Sequence, residues 1–487
     1  MIANQEQMKQ IESDSGLRVS TLMAKAGSTI AKEIEARTTD KDTILILAGN
    51  GNNGGDGFVV AKQLTSRRCF VYLADGKPKS KTALSVYKKL DPEILVSEEK
   101  FASIFKQATV IIDAIYGFSF HGALKDEIRK LCDKVNRSNK KVYSIDINSG
   151  CEADSGECDM HSIHSHITFA LDCYKPFHQL RKNHHMFEEV VLLPLGLPHR
   201  IQTQYEEMNE EIFFKNFPIK QENSYKNTFG KTMLIGGSYG MAGALNLNIL
   251  GVKTIGAPYI EVALPEEIYP IVASKYMTPV FHPFTRNTYY PVIERIVENA
   301  KAVGFGSGAV YMEHKADVLD LILQTSHVPI VFDAEAFNIL KNNTYLLRFA
   351  KAPVIITPHV GEFARIMNLS QEEIQHHRLK YASLFAKEYQ VIVVLKSPNT
   401  IVASPSGEIY INQTGNPSLA QAGSGDLLTG MLTAMLTLHC DVFKAVCMAV
   451  WLHGHLADLG LQNQSIQNFD LESYPTIMDQ LFQKYHR

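Results

Sequence analysis

The chain has 487 residues, 45% of them hydrophobic and 20% charged, with a formal net charge of −3. This is an ordinary globular composition, and the length exceeds the roughly 250–300 residues at which single cores stop growing. The near-neutral balance gives no electrostatic case for nucleic acid or an anionic membrane surface as a partner. The start, residues 1–10, is polar, no apolar run approaches the ~20 residues of a membrane span, and the seven cysteines include no C-x-x-C pair. The expectation is a cytoplasmic two-domain protein with reduced thiols.

Residues 8–35 carry Met8, Ile11, Leu17, Val19, Leu22, Met23, Ala26, Ile30 and Ile34 near helical spacing, with an interruption at 13–16. Thr43–Ala48 is a continuous apolar run, as a buried parallel strand requires. It leads into Gly49-Asn50-Gly51-Asn52-Asn53-Gly54-Gly55-Asp56-Gly57, after which 58–64 reads as helix. Strand, glycine loop and helix make a cradle for a phosphate or nucleotide. Three asparagines and an aspartate add donors and acceptors beyond what a phosphate turn needs. A plain turn using Asn and Gly for positive φ is the alternative, but nine such residues in a row favour a site.

Further strands are expected at 69–74, 109–112 and 141–147, alternating with helical or polar segments in the manner of a doubly wound sheet. Two strand ends are polar: Asp113, followed by Ala114-Ile115-Tyr116-Gly117-Phe118, and Asp146-Ile147-Asn148-Ser149-Gly150. Ligand crevices of open α/β sheets lie beyond such ends, so Asn53, Asp113 and Ser149 are expected to converge. His161, His164, His166, His178, His184 and His185 lack the cysteine or carboxylate of a familiar zinc pattern and read as exposed loop residues.

The run 190–198 closes the first domain, the polar stretch 202–211 is the expected linker, and the second domain is expected to begin near Phe217. Gly230-Lys231-Thr232 is not a P-loop, because Tyr225 stands where a glycine is needed and Lys231 leads into a strand. Residues 236–244 read instead as a strand-to-helix turn approached by ligand. Strands are expected at 259–263, Ala302–Phe305, Ile330–Phe332, Val354–Ile356 and 391–395, a second α/β pattern. Their ends carry Gly304–Gly308, Asp333-Ala334-Glu335, a turn with His359 and Glu362, and Lys396-Ser397-Pro398-Asn399-Thr400. The densest stretch comes last, Ala422-Gly423-Ser424-Gly425-Asp426, with helical spacing from Asp426 onward. A glycine turn opening a helix aims unpaired N–H groups and the positive end of the helix dipole at one point, which favours a phosphate. Asp426 stands at that point, placed either to cap the helix or to take a proton from a nucleophile. His453 and His455 lie on an expected helix, 446–459, and read as packing and capping groups.

Ala422-Gly423-Ser424-Gly425-Asp426, continued by Leu427-Leu428-Thr429-Gly430, resembles the anion-hole signature of the ribokinase-like superfamily. Asn416-Pro417 narrows the resemblance to the ADP-dependent NAD(P)H-hydrate dehydratases, which restore damaged nicotinamide cofactors. Residues 51–57, 113–118 and 146–150 resemble the epimerase domain of the bifunctional NAD(P)H-hydrate repair enzymes. The resemblance implies an N-terminal Rossmann-like doubly wound sheet over 1–212 and a C-terminal ribokinase-like α/β/α domain over 213–487. It implies that Asp426 and Asp113 serve catalysis and that Asn53, Asp113 and Ser149 hold a potassium ion. It assigns Asn52, Asn53, Gly54, Gly55, Asp56, Gly117, Phe118, Ser119, Phe120, His121, Gly122, Ala123 and Asp146 to the hydrated cofactor in the epimerase. In the dehydratase it assigns Ala244, Gly306, His359 and Asp426 to the hydrated nicotinamide, and Lys396, Ser397, Pro398, Asn399, Thr400 and Gly425 to the nucleotide. Magnesium is expected with the ADP or ATP, and a homo-oligomer as the assembly.

The pattern departs from the family at Asn148, His166, Phe177, Phe305, Val360 and Ser397. Two rival readings follow: a small-molecule kinase sharing the Gly-Ser-Gly-Asp turn, and a dehydratase whose first domain is a non-catalytic scaffold.

Overall fold

The computed structural model describes residues 1–180, 183–201, 203–225, 228–439 and 441–485. Gln202 of the expected linker and Lys226 and Asn227 of the rejected P-loop lie outside the described residues. The chain forms two compact units, Met1–Tyr205 and Glu206–Arg487.

The first unit is built on β1 (Thr43–Ala48), β2 (Arg68–Leu73), β3 (Leu95–Val96), β4 (Val110–Ala114), β5 (Lys141–Ile145), β6 (Ser165–Leu171) and β7 (Phe187–Leu193). Their order is β3-β2-β1-β4-β5-β6-β7, and every pairing is parallel. β1 lies inside the sheet and is buried at all six positions. Its alternate residues serve opposite faces. Ile44, Ile46 and Ala48 pack with Ile30, Ile34 and Phe58, while Leu45 and Leu47 pack with Phe101, Phe105 and Leu131. The strand order reverses between β1 and β4, so the loops after these two strands diverge and leave a crevice.

The interruption at 13–16 separates two helices, Gln5–Asp14 and Val19–Arg37. The glycine stretch after β1 is only partly loop. The helix starts at Asn52 and takes in Gly54, Gly55 and Gly57, which are buried. A Cβ on Gly54 would fall on the Gly49 carbonyl oxygen, so these glycines serve close packing rather than turn conformation.

Two expectations are corrected here. Cys151 and Cys158 are joined in a disulfide rather than carrying thiols, while Cys69, Cys132 and Cys447 are free and buried. The bridge arises because an antiparallel β-bridge pairs the two residues. The six histidines are not uniformly exposed loop residues either. His178 is 3% exposed inside the short helix Pro176–Gln179, and His166 lies on β6 with Nδ1 accepting from the Val142 N–H.

The second unit opens at Glu206, within β8 (Tyr205–Glu206). It continues with β9 (Thr232–Ile235), β10 (Ile260–Pro265), β11 (Val280–Phe284), β12 (Ala302–Phe305), β13 (Ile330–Phe332), β14 (Val354–Ile356), β15 (Ile392–Leu395), β16 (Ile401–Ala403) and β17 (Ile409–Ile411). The sheet order is β11-β10-β9-β12-β13-β14-β15-β16-β17-β8. It is parallel from β11 to β15 and antiparallel through β16 and β17. The switch point falls between β9 and β12. Helices Ala242–Ile255 and Ser424–Leu438 approach each other closely enough that a Cβ on Gly430 would meet the Asn248 carbonyl oxygen. Helix Val442–Gly460 completes that layer, burying Phe443, Val446, Trp451 and Leu456. Among the described residues no helix is long and apolar enough to cross a membrane.

Candidate active sites

In the first unit the switch-point crevice is a cavity of about 650 Å³. The loop after β1 contributes Asn50 and Gly51, and the helix it opens contributes Asn52, Asn53 and Asp56. Tyr116, Gly117, Phe118, Ser119, Phe120 and His121 follow β4, Asp146 follows β5, and Lys175 follows β6. Most residues expected to hold the hydrated cofactor are therefore brought together. Gly54 and Gly55 are buried in the helix, and Gly122 and Ala123 are exposed outside the lining.

Asp113 and Ser149 lie behind this surface and are fully buried. Ser149 donates from Oγ to Asp113 Oδ1 at 2.5 Å and from its N–H to Oδ2 at 2.8 Å. Ser144 Oγ adds a bond to Oδ2 at 3.0 Å and the Ile115 N–H one to Oδ1 at 3.2 Å. Burial raises the Asp113 carboxyl and these donors oppose the rise. The Ser149 hydroxyl in turn accepts from the Tyr116 N–H at 2.9 Å, so Asp113 fixes the loop that lines the cavity. Asn53 adjoins the same loop at Gly117, and its Nδ2 is buried without a hydrogen-bond partner. An unpaired buried amide is costly, so its presence points to a ligand at that side chain. Asn148 does not disturb the geometry. Its amide donates to the Ile163 and Met186 carbonyls and to Ser165 Oγ. Phe177 is likewise fully buried, packed on Phe187.

The cavity carries an unusual charge load. Lys175 is 1% exposed, and its ammonium donates to Asp146 Oδ1 at 2.5 Å and to the Leu171 carbonyl at 2.9 Å. Burial drives the Asp56 carboxyl well above the carboxylate range, with Asp146 and Glu12 adding to the effect. Burial also raises Glu12.

In the second unit, Gly236–Ser238 after β9 and Gly306–Gly308 after β12 flank the switch point. The Gly237 N–H bonds the Ser307 carbonyl there at 2.9 Å. Gly306 has φ 121°, a conformation that favours glycine, and a Cβ would fall on the Asp333 carbonyl. Asp426 lies on the first turn of helix Ser424–Leu438, which Gly423 opens at φ 95°. Burial, reinforced by the Asp333 carboxylate, raises Asp426 to about 6, while a hydrogen bond from Ser307 opposes the rise. Asn248 ties the two elements, donating to the Asp426 carbonyl at 2.7 Å and to Ser307 Oγ at 3.0 Å.

Lys396 reaches the same turn, and its ammonium pairs with Asp333 Oδ1 at 2.7 Å. Thr357 bonds that oxygen at 2.7 Å, and Thr429 bonds Oδ2 at 2.9 Å. Burial acts to lower the Lys396 ammonium, but Asp333 and Glu362 override it and leave the net shift upward. His359 is the N-cap of helix Val360–Met367, with Nδ1 accepting from the Gly361 and Glu362 N–H groups. Burial, then Lys396, lowers it, which favours the neutral ring, and its Nε2 lies 3.5 Å from Glu362 Oε1. The side chain stays 56% exposed.

Gly306, His359 and Lys396 thus lie at strand ends, and Ala244, Gly425 and Asp426 on the first turns of helices Ala242–Ile255 and Ser424–Leu438. Asn399 differs from the other expected nucleotide residues. It is fully buried and donates to the Asn412 carbonyl, so its side chain shapes the loop from within. Arg378, 4% exposed, holds that loop through Ser397 Oγ and the Asn399 carbonyl. Sequence reading missed Arg378, Asn248 and Thr429. Asn248 carried a usable signal, a polar residue on the buried face of an apolar helix.

A family model described as NAD(P)H-hydrate dehydratase matches residues 232–476, and one described as YjeF-related protein N-terminus matches 19–177. The bifunctional NAD(P)H-hydrate repair enzyme of Moorella thermoacetica is 30% identical over 468 residues, covering 90% of this chain and 87% of that protein. The bifunctional enzyme of Escherichia coli is 27% identical over 454 residues, covering 91% and 86%. A crystal structure of the ADP/ATP-dependent NAD(P)H-hydrate dehydratase of Bacillus subtilis, co-crystallised with ATP and magnesium, matches with a TM-score of 0.51 at 30% identity. It covers 57% of this chain and 97% of that one. A Rossmann-like sheet joined to a ribokinase-like one, each with a polar switch-point site, defines a two-domain nucleotide enzyme. The chain belongs to the family of bifunctional NAD(P)H-hydrate repair enzymes.

Proposed function

We propose that the second unit removes water from the S form of hydrated NAD(P)H with ADP as phosphoryl donor, and that the first unit interconverts the R and S hydrates. The observation that carries the dehydratase reading is Asp426, a carboxyl lifted to about 6 at an anion-binding helix start beside Lys396. Such a group is a base poised near neutrality. It takes the proton of the C6 hydroxyl while that oxygen attacks the terminal phosphoryl of ADP and AMP leaves. The N–H groups at Ser424 and Gly425 and the Lys396 ammonium stabilise the charge on the transferred group. Phosphate then departs from C6, the ring nitrogen's electrons assist, a C5 proton is lost, and NAD(P)H results. Magnesium would enter with the nucleotide. Asp333 already has both oxygens engaged, so phosphates and water would hold that ion.

Asn53, Asp113 and Ser149 are oxygen donors bracketing one loop, a set whose chemistry suits potassium. Bound there, the ion would supply positive charge behind the Tyr116–Gly117 turn. The residues themselves order that turn through the Ser149–Tyr116 bond.

The test is NADH absorbance after adding hydrated NADH with ADP or ATP. Recovery of absorbance with AMP and phosphate as co-products supports the reading, whereas a stable phosphorylated substrate supports a kinase. R-hydrate consumption faster than spontaneous epimerisation supports a working first unit. Asp113→Ala should remove that advantage, as should withdrawal of potassium, and leave S-hydrate dehydration intact. Equal rates in all cases would leave the first unit a scaffold.

A further inference from the structure

We propose that Lys175 and Asp146 are the proton donor and proton acceptor of the first unit's epimerisation, an inference that rests on reading that unit as an epimerase. Both side chains line the cavity, and both are nearly inaccessible otherwise, at 1% and 3%. The ammonium and Oδ1 are 2.5 Å apart. The ammonium also lies 5.9 Å from the centre of the Phe118 ring, another wall of the cavity.

The pair is held by backbone as well as by charge. His178 accepts from the Lys175 N–H at Nδ1 (2.9 Å) and donates from Nε2 to the Asp146 carbonyl (2.8 Å). Burial, aided by Lys175, lowers that ring to about 4, so it serves as a neutral strut. Asp146 adopts φ 65°, unusual for a residue with a side chain, and its Oδ1 also accepts from the Leu171 N–H at 3.3 Å. The other charges near the pair are carboxylates on separate elements: Glu12 on the first helix, Asp56 on helix Asn52–Gln63, and Asp172 after β6. A buried ion pair is a poor source of stability compared with apolar packing. Placing one on a ligand cavity makes better sense as chemistry.

The reaction supplies the matching geometry. C6 of the hydrate bears both the ring nitrogen N1 and the hydroxyl oxygen, so the two atoms that exchange protons are bonded to one carbon. An acid and a base in direct contact can address both at once. Asp146 takes the hydroxyl proton as the C6=O bond forms and the C6–N1 bond breaks, and the Lys175 ammonium delivers a proton to N1. Rotation about C5–C6 turns the opposite aldehyde face to N1. N1 then attacks, its proton returns to the Lys175 amine, and the new alkoxide recovers its proton from Asp146. The ion pair passes to a neutral pair and back, so the cavity's net charge is constant and no outside proton source is needed.

The test uses the full chain without ADP, starting from pure S hydrate and following R hydrate by chromatography. Lys175→Arg keeps the charge and the partner for Asp146 but holds its proton too tightly to deliver it. The expected result is a loss of about 100-fold or more in kcat with KM changed only a few-fold. Asp146→Asn should give a similar loss. Near-ultraviolet circular dichroism of each full-length variant at the assay temperature serves as the folding control and should match wild type, and dehydration of S hydrate by the second unit, measured with ADP, should be unchanged. Wild-type epimerisation in Lys175→Arg would overturn the proposal alone, since a charge that merely supports structure is rescued by arginine. Wild-type protein no faster than spontaneous epimerisation would overturn the epimerase reading and the proposal with it.

Discussion

Asp426 shows how one environment sets both reactivity and stability. Its carboxyl is lifted from 3.8 to about 6 by burial and by Asp333. In the proposed mechanism the reactive form is the carboxylate, so dehydration should rise with pH through about 6 and level off above it. Asp426→Asn should abolish turnover at every pH while nucleotide binding, followed by titration calorimetry, stays near normal. The stability sign runs the other way. The native state keeps a proton that the unfolded chain releases between pH 4 and 6, so stability falls as pH rises through that window. The asparagine variant lacks this loss, and its melting temperature relative to wild type should climb from pH 4 to 7. Lys396 behaves differently because its partner is buried. Lys396→Met strands Asp333, whose side chain is 3% exposed, and should cost about 3–5 kcal/mol in denaturant unfolding. Adding Asp333→Asn should restore most of that stability without restoring activity. Asp426 was legible in sequence because a carboxylate after four small residues has few structural uses. Asp333 was visible only as a strand end, since its partners Thr357, Lys396 and Thr429 come from three distant elements.

At the scale of elements, the central strands were the easiest to read. β1, β9, β12, β13 and β14 are buried on both faces, so their sequences are unbroken apolar runs. β6, β7, β11, β16 and β17 were not identified from sequence. β7 and β11 are edge strands, β16 and β17 have three residues each, and β6 carries Ser165, His166 and Thr168 among its apolar residues, which blurs the signal. Helix starts misled in the opposite sense. Glycine density placed a loop over 49–57, but Gly54, Gly55 and Gly57 are helical because their neighbours leave no room for a Cβ. The same rule gives a paired prediction in the second unit. Gly430 and Gly243 both lie in helices of one layer, but only Gly430 faces backbone, while a Cβ on Gly243 meets open space. Gly430→Ala should destabilise by about 1–3 kcal/mol or more through forced separation of the two helices. Gly243→Ala should be neutral or stabilise by up to about 1 kcal/mol through helix propensity. Thermal melts of the two variants check both, and equal melting temperatures would refute the close-approach argument.

For the whole molecule, each unit has its own sheet, its own switch point and its own apolar core. A fragment comprising residues 206–487 should therefore fold alone and dehydrate S hydrate with ADP, and its R-hydrate consumption should fall to the spontaneous rate. Sequence reading would start that fragment near Phe217, after a linker judged by its polarity. The structure argues for the earlier start. Helix Glu210–Asn216 sends Phe213 and Phe214 into the second core, with ring centres 5.2 Å from Trp451 and 4.1 Å from Tyr485 respectively. Glu210 secures the helix through His455 at 2.9 Å and Lys484 at 2.7 Å. Removing two buried phenylalanines forfeits about 1.5–3 kcal/mol each and exposes the apolar surface they covered. Residues 217–487 should accordingly melt well below residues 206–487, bind a hydrophobic dye in the native buffer, and lose dehydratase activity on mild warming. Adding Phe213→Ala and Phe214→Ala to the longer fragment should reproduce that behaviour without changing its length. If the two fragments melt together, the helix is a dispensable arm and the second unit begins at Phe217 after all.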